Sequence, residues 1–185
     1  MKKALLCGIT VILILIAGCT TASPGTSPAT TPTPSLVIPS DALPMNGSLK
    51  LGNDTHSITV SVDSFEVDPQ SEAGKYTVTI YVAANNTGID PIKYVWFSKL
   101  TDFNGNSYGG IRESHGGSGA RTGWIPVNFS EAARDYVDVN SDLALANLTK
   151  GAVLDVYFME QRVNVTPSLV PDYHVTWAID PGTIR

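Results

Sequence analysis

The chain has 185 residues, with 12 lysines and arginines against 17 aspartates and glutamates, a formal net charge of −5. This length favours a single folded domain, and the acidic balance argues against a nucleic-acid partner, which would need a basic surface. Both cysteines, Cys7 and Cys19, lie near the beginning of the chain. The rest of the chain therefore excludes a disulfide framework, a cysteine-ligated metal and a thiol nucleophile.

The beginning of the chain has the layout of a secretory signal peptide. Two lysines precede an uncharged apolar run, Ala4–Gly18, which is too short for a typical membrane-spanning helix. The run ends in Ile16-Ala17-Gly18-Cys19, which resembles a prokaryotic lipobox. The resemblance implies that residues 1–18 are removed and that the thiol of Cys19 receives a diacylglyceryl group. We therefore expect a mature chain anchored by lipid in the cell membrane, on its extracellular face.

Residues 19–44 predict a disordered tether. Between Thr20 and Pro44, most positions are serine, threonine or proline. Such a composition buries too little apolar surface to offset the entropy of ordering. Prolines favour extended polyproline II segments, in which this stretch would span about 80 Å. The segment is predicted to hold the folded domain away from the lipid.

Residues 45–185 are predicted to form an all-β domain. Apolar and polar residues alternate in four runs, which begin at Ile58, Tyr76, Val153 and Tyr173. Period-two alternation places the apolar side chains on one face of a half-buried strand. No window shows sustained helical periodicity, although 130–134 could begin a short helix. Short strands at regular spacing predict an immunoglobulin-like antiparallel β-sandwich of about seven strands.

Asn104-Gly105 is the strongest hairpin signal in the chain. A type I′ turn needs positive φ at both central residues, which this dipeptide tolerates. It predicts a turn between a strand at Tyr94–Phe103 and a short strand near Tyr108.

The region from residue 76 to 108 carries a recognisable order of turns. A strand ends in Asn85-Asn86-Thr87-Gly88, Asp90-Pro91-Ile92 follows, and a later strand leads into Asp102, Gly105 and Tyr108. This order resembles the telokin-like, immunoglobulin-fold domain of unknown function found in bacterial and archaeal surface lipoproteins, over residues 50–182. The chain departs from that pattern in an insert at 109–123 and in lacking a Pro-Gly-Glu turn before the late strand. The resemblance implies the fold and a lipoprotein setting, and it carries no catalytic residues.

The insert Gly109–Gly123 is rich in glycine and interrupts the rhythm of the strands. A long loop on a sandwich is often functional, so we predict a ligand loop here. Its candidate contact residues are Arg112, His115, Arg121 and Trp124.

The same candidate ligand loop also suggests an esterase. The segment from His115 to Gly119 is similar to the oxyanion-hole turn of some lipases and esterases, with Ser118 as the candidate nucleophile. The chain lacks the nucleophile elbow and the α/β sheet of those enzymes. We therefore expect no enzymatic activity.

Asn-x-Ser/Thr sequons recur along the chain, and several fall in predicted turns. The acceptors are Asn46, Asn53, Asn85, Asn128, Asn147 and Asn164. One interpretation is an N-glycosylated surface protein. The other is that these residue types are simply common in β-turns.

Oxygen-bearing side chains that lie close together in the chain form a weak calcium candidate: Asp135, Asp138, Asn140 and Asp142. The last three match the first half of a calcium loop. Leu143 and Thr149 stand where that loop needs glycine and glutamate, so a solvated acidic turn is the favoured interpretation. The histidines share no ligand spacing, and no metal or cofactor is expected.

Three tryptophans, Trp96, Trp124 and Trp177, could form a platform that stacks on sugars, although aromatic residues in a sandwich more often belong to the core. Together these features predict a non-catalytic, lipid-anchored surface protein that binds a protein or glycan of the envelope. The alternative is a structural spacer within an envelope assembly.

Overall fold

The computed structural model describes residues 36–110, 120–161 and 170–185. The elements in chain order are β1 (Leu43–Pro44), β2 (Ser48–Gly52), β3 (Ser57–Pro69), β4 (Tyr76–Asn86), β5 (Tyr94–Asp102), β6 (Ser107–Gly109), β7 (Ala120–Arg121), β8 (Ser130–Val139), α1 (Asp142–Leu148), β9 (Ala152–Glu160) and β10 (Tyr173–Ile179). In this part of the chain no helix is long and apolar enough to cross a membrane.

The strands form two sheets that pack face to face. The front sheet has the order β1-β10-β9-β5-β6, with β7 also paired to β5, and the back sheet has the order β2-β3-β4-β8. The chain leaves the back sheet after β4, returns to it for β8 and finishes in the front sheet. The neighbours β3-β4-β8 and β5-β9-β10 correspond to strands A-B-E and C-F-G of immunoglobulin sandwiches. The predicted all-β sandwich is confirmed.

The core lies between the sheets and is built from the inward positions of each strand. Trp96, Trp177 and Phe158 are fully buried there. The rings of Trp96 and Phe158 lie 5.7 Å apart in a tilted arrangement. The indole Nε1 of Trp177 donates to the carbonyl oxygen of Gly47 at 3.0 Å. Trp96 and Trp177 therefore belong to the core, and the sugar-stacking interpretation is wrong for these two residues.

The structure corrects the prediction of a helix at 130–134, because these residues begin β8. The helix that is described, α1, follows β8 instead. Its N-cap is Ser141, whose side chain accepts a hydrogen bond from the backbone N–H of Ala144 at 3.1 Å. Capping of this kind satisfies a donor that the first helical turn leaves open.

The folded domain begins slightly before residue 45. Leu43 and Pro44 form β1, which pairs in parallel with Trp177 and Ala178 of β10. The boundary predicted at 44/45 therefore falls just after β1 instead of before it, and the front sheet is not purely antiparallel.

The predicted hairpin at Asn104-Gly105 joins β5 to β6, but its turn is not type I′. Gly105 has a φ of +83°, whereas Asn104 has no positive φ. The backbone N–H of Asp102 donates to the carbonyl oxygen of Asn106 at 2.9 Å, which leaves three residues in the connection. Three-residue hairpin connections place a glycine at the left-handed position.

Candidate functional site

A cleft of about 580 Å³ opens at one end of the sandwich. The β2–β3 turn, the β4–β5 loop, the segment before β8 and the end of β9 meet at this end. The lining residues are His56, Asp90, Pro91, Ile92, Trp124, Glu160 and Gln161. We call this feature the loop-end cleft.

The β2–β3 turn presents His56 to the loop-end cleft. The side-chain oxygen of Asn53 accepts the backbone N–H groups of Thr55 and His56, each at 2.9 Å. Gly52 has a φ of +97°, and a Cβ there would lie 2.0 Å from the carbonyl oxygen of His56. The turn therefore needs glycine at its first residue and a side-chain acceptor at its second.

The β4–β5 loop is held against this turn by backbone hydrogen bonds and presents Asp90. Ile89 N–H donates to the carbonyl oxygen of Thr55 at 2.9 Å, and Gly88 N–H donates to that of Ser57 at 3.1 Å. A Cβ on Gly88 would lie 2.4 Å from the carbonyl oxygen of Thr55. The close approach requires glycine, and it brings the carboxylate of Asp90 to His56.

Buried Asn86 connects this loop to the segment before β8. Its side-chain Nδ2 donates to the carbonyl oxygens of Asp90 at 2.8 Å and Ile125 at 2.9 Å. Its Oδ1 accepts the N–H of Gly88 at 3.0 Å. Because a buried amide with satisfied hydrogen bonds is costly to disturb, Asn86 fixes the shape of the loop-end cleft.

Trp124 forms the aromatic wall of the loop-end cleft, and its two neighbours in the chain hold it in place. The N–H of Gly123 donates to the carboxylate of Glu131, at 2.9 and 3.2 Å to its two oxygens. Ile125 N–H donates to the carbonyl oxygen of Ile92 at 2.7 Å. The backbone is thereby fixed on both sides of a side chain that remains 50% exposed.

The polar centre of the loop-end cleft is an imidazole between two carboxylates. His56 Nδ1 lies 3.0 Å from Glu160 Oε1, and His56 Nε2 lies 3.4 Å from Asp90 Oδ2. The side chain of Glu160 is only 6% exposed, whereas that of Asp90 is 53% exposed. A neutral imidazole carries one N–H, so it can donate to only one of the two carboxylates.

The predicted ligand loop contributes one described side chain to this cleft. Trp124 lines it. Arg112 and His115 lie outside the described residues, as does Ser118 of the esterase hypothesis. Arg121 pairs through its backbone with Val95, and its side chain is outside the described part of the structure.

Three cleft residues were not singled out from the sequence: His56, Asp90 and Glu160. They come from three separate parts of the chain, so no local spacing indicates them. The one available signal was the Asn85–Ile92 motif, which forms the β4–β5 loop.

The structure does not bring the calcium candidates together. Asp135 points into the sandwich, where its Oδ2 accepts the N–H of Ser98 at 2.6 Å. Burial raises the pKa of Asp135 to about 6. Asp138 lies on the opposite face of β8, and Asn140 and Asp142 follow it at the exposed surface. Among the described residues no three histidine, cysteine, aspartate or glutamate side chains are placed to hold a metal ion.

The sequons differ in exposure. Asn46, Asn53, Asn85 and Asn128 are exposed, and Asn164 lies outside the described residues. Asn147 is buried at the end of α1, and its side-chain oxygen accepts from the ammonium group of Lys150 at 3.2 Å. Asn147 is therefore buried in the folded domain, unlike the four exposed acceptors.

A second polar cluster lies on the outer face of the front sheet. Asp155 accepts from Lys99 Nζ at 3.0 Å and from Thr176 Oγ1 at 2.9 Å, and its Oδ1 lies 2.9 Å from His174 Nε2. Burial alone would raise the pKa of Asp155, but these partners outweigh it and hold that pKa below its usual value. Since the carboxylate is fully engaged across three strands, we assign this cluster to the sheet rather than to a ligand.

The fold and the loop-end cleft together define a β-sandwich domain with a cleft at one loop end. No protein-family model matches the chain, and no curated protein sequence matches it. The resemblance to the telokin-like family stays a prediction.

Solved structures show similarity to the chain at the level of overall architecture. An uncharacterised β-sandwich protein from Clostridium difficile has 12% identity and a TM-score of 0.43, over 77% of this chain and 97% of that one. A candidate ApaA protein from Bordetella pertussis has 14% identity and a TM-score of 0.40, over 68% and 96%. A candidate lipoprotein from Bacillus subtilis has 16% identity and a TM-score of 0.36, over 73% and 39%. Similarity at this level carries no argument about family or function.

Proposed function

We propose that the chain is a lipid-anchored protein of the extracellular surface, whose non-catalytic β-sandwich binds a protein partner at the loop-end cleft. The lipobox-like sequence before Cys19 supports the anchor. Without residues 1–18 the chain has 10 basic and 17 acidic side chains, a charge of −7. Two acyl chains hold a protein at a membrane without a basic patch, so this acidity is compatible with lipid anchoring.

The observation that carries the binding proposal is the half-exposed Trp124 in the wall of a cleft with a charged centre. Two further apolar side chains are exposed at the same end, Ile89 at 71% and Phe129 at 63%. Aromatic and apolar anchors around a partly buried polar group are typical of protein interfaces.

A structural spacer and an esterase would both leave the exposed Trp124 and the charged cleft without a role. A spacer has no use for an exposed tryptophan in a preformed cleft. An enzyme of the esterase type needs a nucleophile, and the described residues that line the cleft include no serine, threonine or cysteine. A glycan ligand is the second candidate, because Trp124 could stack on a sugar ring.

The anchor is tested by replacing each cysteine in turn. Cys19→Ala is expected to move the protein from the membrane fraction to the soluble fraction and to abolish incorporation of radiolabelled fatty acid. Cys7→Ala is the matched control, because Cys7 lies in the segment that is predicted to be removed. Membrane retention and labelling of the Cys19→Ala protein would overturn the anchor.

The partner is tested by photo-crosslinking on intact cells. A photoreactive phenylalanine replaces Trp124, and the same group at Leu143, exposed on α1 at the opposite end, is the control. We expect a protein adduct from position 124 and none from position 143. Adducts at neither position would favour the spacer, and a glycan adduct at 124 would favour the second candidate.

A further inference from the structure

The β4–β5 loop contains an exposed Asp-Pro peptide bond, between Asp90 and Pro91. Such a bond has its nucleophile built in, because the aspartate carboxylate can close a five-membered ring onto the carbonyl carbon of its own residue. The proline nitrogen carries no N–H and leaves as a secondary amine. An attack within one residue does not have to bring a second molecule into place, which is the entropic advantage of an intramolecular reaction.

The carbonyl oxygen of this bond already accepts a hydrogen bond from a buried side chain. Asn86 Nδ2 donates to the carbonyl oxygen of Asp90 at 2.8 Å. The same nitrogen donates to the carbonyl oxygen of Ile125 at 2.9 Å, and Asn86 Oδ1 accepts the N–H of Gly88 at 3.0 Å, so the orientation of the amide is fixed. A fixed donor at this distance stabilises the negative charge that develops on the oxygen when its carbonyl carbon is attacked.

A histidine beside the carboxylate supplies a proton donor. His56 Nε2 lies 3.4 Å from Asp90 Oδ2, and its Nδ1 lies 3.0 Å from Glu160 Oε1. Among the described residues these two carboxylates are the charged groups within ion-pair distance of the ring. The protonated ring places an N–H in the cleft that Pro91 also lines. Histidine is the side chain that most often acts as a general acid near neutral pH.

We propose that the chain cleaves its own backbone between Asp90 and Pro91. A carboxylate oxygen of Asp90 bonds to the carbonyl carbon of the same residue, and the bond from that carbon to the nitrogen of Pro91 breaks. The nitrogen keeps the electron pair and takes the proton of the His56 imidazolium, which leaves a cyclic anhydride at Asp90 and a neutral imidazole. Water then opens the anhydride to two carboxyl groups, and one of the protons that they release recharges the ring.

The reaction goes beyond the proposed binding function, because it is a single turnover on the chain itself and acts on no external substrate. The cut separates β1–β4 from β5–β10. The two parts stay paired, because β4 pairs with β8 and β1 pairs with β10. A cleaved molecule should therefore keep its fold and separate into two pieces only after denaturation.

Two other Asp-Pro bonds of the chain serve as internal controls. Asp68-Pro69 ends β3, and Asp180-Pro181 follows β10. Neither Asp68 nor Asp180 pairs with a histidine in the part of the chain that the structure describes. Since the lability of the dipeptide itself is common to all three bonds, a faster cut at 90/91 measures what the surrounding residues contribute.

The test is an incubation of the purified full-length chain in detergent with protease inhibitors, followed by intact mass spectrometry. We expect two fragments whose masses add up to that of the chain plus one water, the second beginning at Pro91. The cut at 90/91 should be roughly tenfold or more faster than at the other two bonds, and faster at about pH 5 than at about pH 8. In concentrated urea this advantage should disappear. Dilution should leave the rate unchanged, because the reaction is intramolecular.

Variants assign the roles at the bond. Asp90→Ala removes the nucleophile, and Asp90→Glu keeps the charge but needs a six-membered ring, so both should abolish the cut at 90/91. His56→Gln removes the acid and should slow the cut roughly tenfold or more at about pH 5. Asp68→Asn is the matched control and should leave the cut at 90/91 unchanged. Near-ultraviolet circular dichroism establishes that each variant is folded.

Four results would each overturn the inference. They are no cut at 90/91 in the folded chain, equal rates at the three Asp-Pro bonds, an unchanged rate in His56→Gln, and a rate that falls on dilution, which would indicate a contaminating protease. The crosslinking at position 124 tests the proposed function separately, because binding at the cleft does not require the cut. Failure of self-cleavage therefore leaves the proposed function standing, and failure of the crosslink leaves self-cleavage standing.

Discussion

Asp135 couples the two sheets through a buried carboxylate, and its replacement by asparagine gives a pH-dependent prediction. In the front sheet β7 pairs with residues 95 and 96 of β5, and β6 pairs with residues 99–101. The N–H of Ser98 falls between these pairings, and Asp135 of the back sheet accepts it at 2.6 Å. A second N–H, that of Tyr136, donates to the other carboxylate oxygen at 2.9 Å. Asparagine at position 135 keeps one acceptor and removes the titration.

The size of the effect follows from the pKa of Asp135, which burial raises from 3.8 to about 6 in the folded protein. Between these values the folded state binds more protons than the unfolded state, so the free energy of unfolding falls as the pH rises. A rise of about two in the pKa of one group corresponds to about 3 kcal/mol in the free energy of unfolding. Between pH 4 and pH 7 the free energy of unfolding of the wild-type protein should therefore fall by up to about 3 kcal/mol more than that of the Asp135→Asn protein.

Urea unfolding, followed by tryptophan fluorescence at several pH values from 4 to 7.5, measures this difference. All other titrating groups are common to both proteins and cancel in the comparison. The free energy of unfolding falls by about 2 kcal/mol for each molar of urea. The difference between the midpoint urea concentrations of the two proteins should therefore change by about 1.5 M between pH 4 and pH 7. Parallel curves for Asp135→Asn would refute the burial argument.

Three further predictions concern the loop end and α1. Gly88→Ala places a Cβ 2.4 Å from the carbonyl oxygen of Thr55. Urea unfolding should therefore show a free energy of unfolding that is lower by about 1–3 kcal/mol. Unchanged stability would contradict the close approach. Asn86→Ala removes the donor to the carbonyl oxygens of Asp90 and Ile125. In the same assay it should lower the free energy of unfolding by about 2–4 kcal/mol. The control is Asn85→Ala at the exposed neighbouring residue, which should lower it by less than about 0.5 kcal/mol. In mass spectrometry of native glycopeptides Asn147 should be unmodified because it is buried, and a glycan there would mean that the end of α1 opens.

The strands that the sequence predicts are those whose alternation is uninterrupted. Runs that begin at Ile58, Tyr76, Val153 and Tyr173 all lie in strands of the structure. The strand β8 was missed because its inward positions include Glu131, Ala133 and Asp135 before the apolar residues at its end. Alanine and a buried carboxylate do not give the apolar signal on which period-two patterning depends.

The candidate site was less accessible to sequence reasoning than the fold. The glycine-rich loop before Trp124 indicates that residue, and Trp124 does line the cleft. The sequence does not indicate His56 and Glu160, because the pairing of β9 with β5 is what brings the end of β9 to the β2–β3 turn. Contacts of this kind depend on the order of strands in the sheets, which turn residues and alternation do not specify.

The short strands β1 and β2 have a consequence for molecules held close together on one surface. Open strand edges are where β-proteins join one another, and long flat edges are the most prone to do so. The outer edge of the front sheet is the two-residue β1, in which Pro44 has no N–H to offer. At the back sheet the edge strand β2 has five residues and carries exposed Lys50. Neighbouring copies held at one surface would therefore find little to pair with along these two edges.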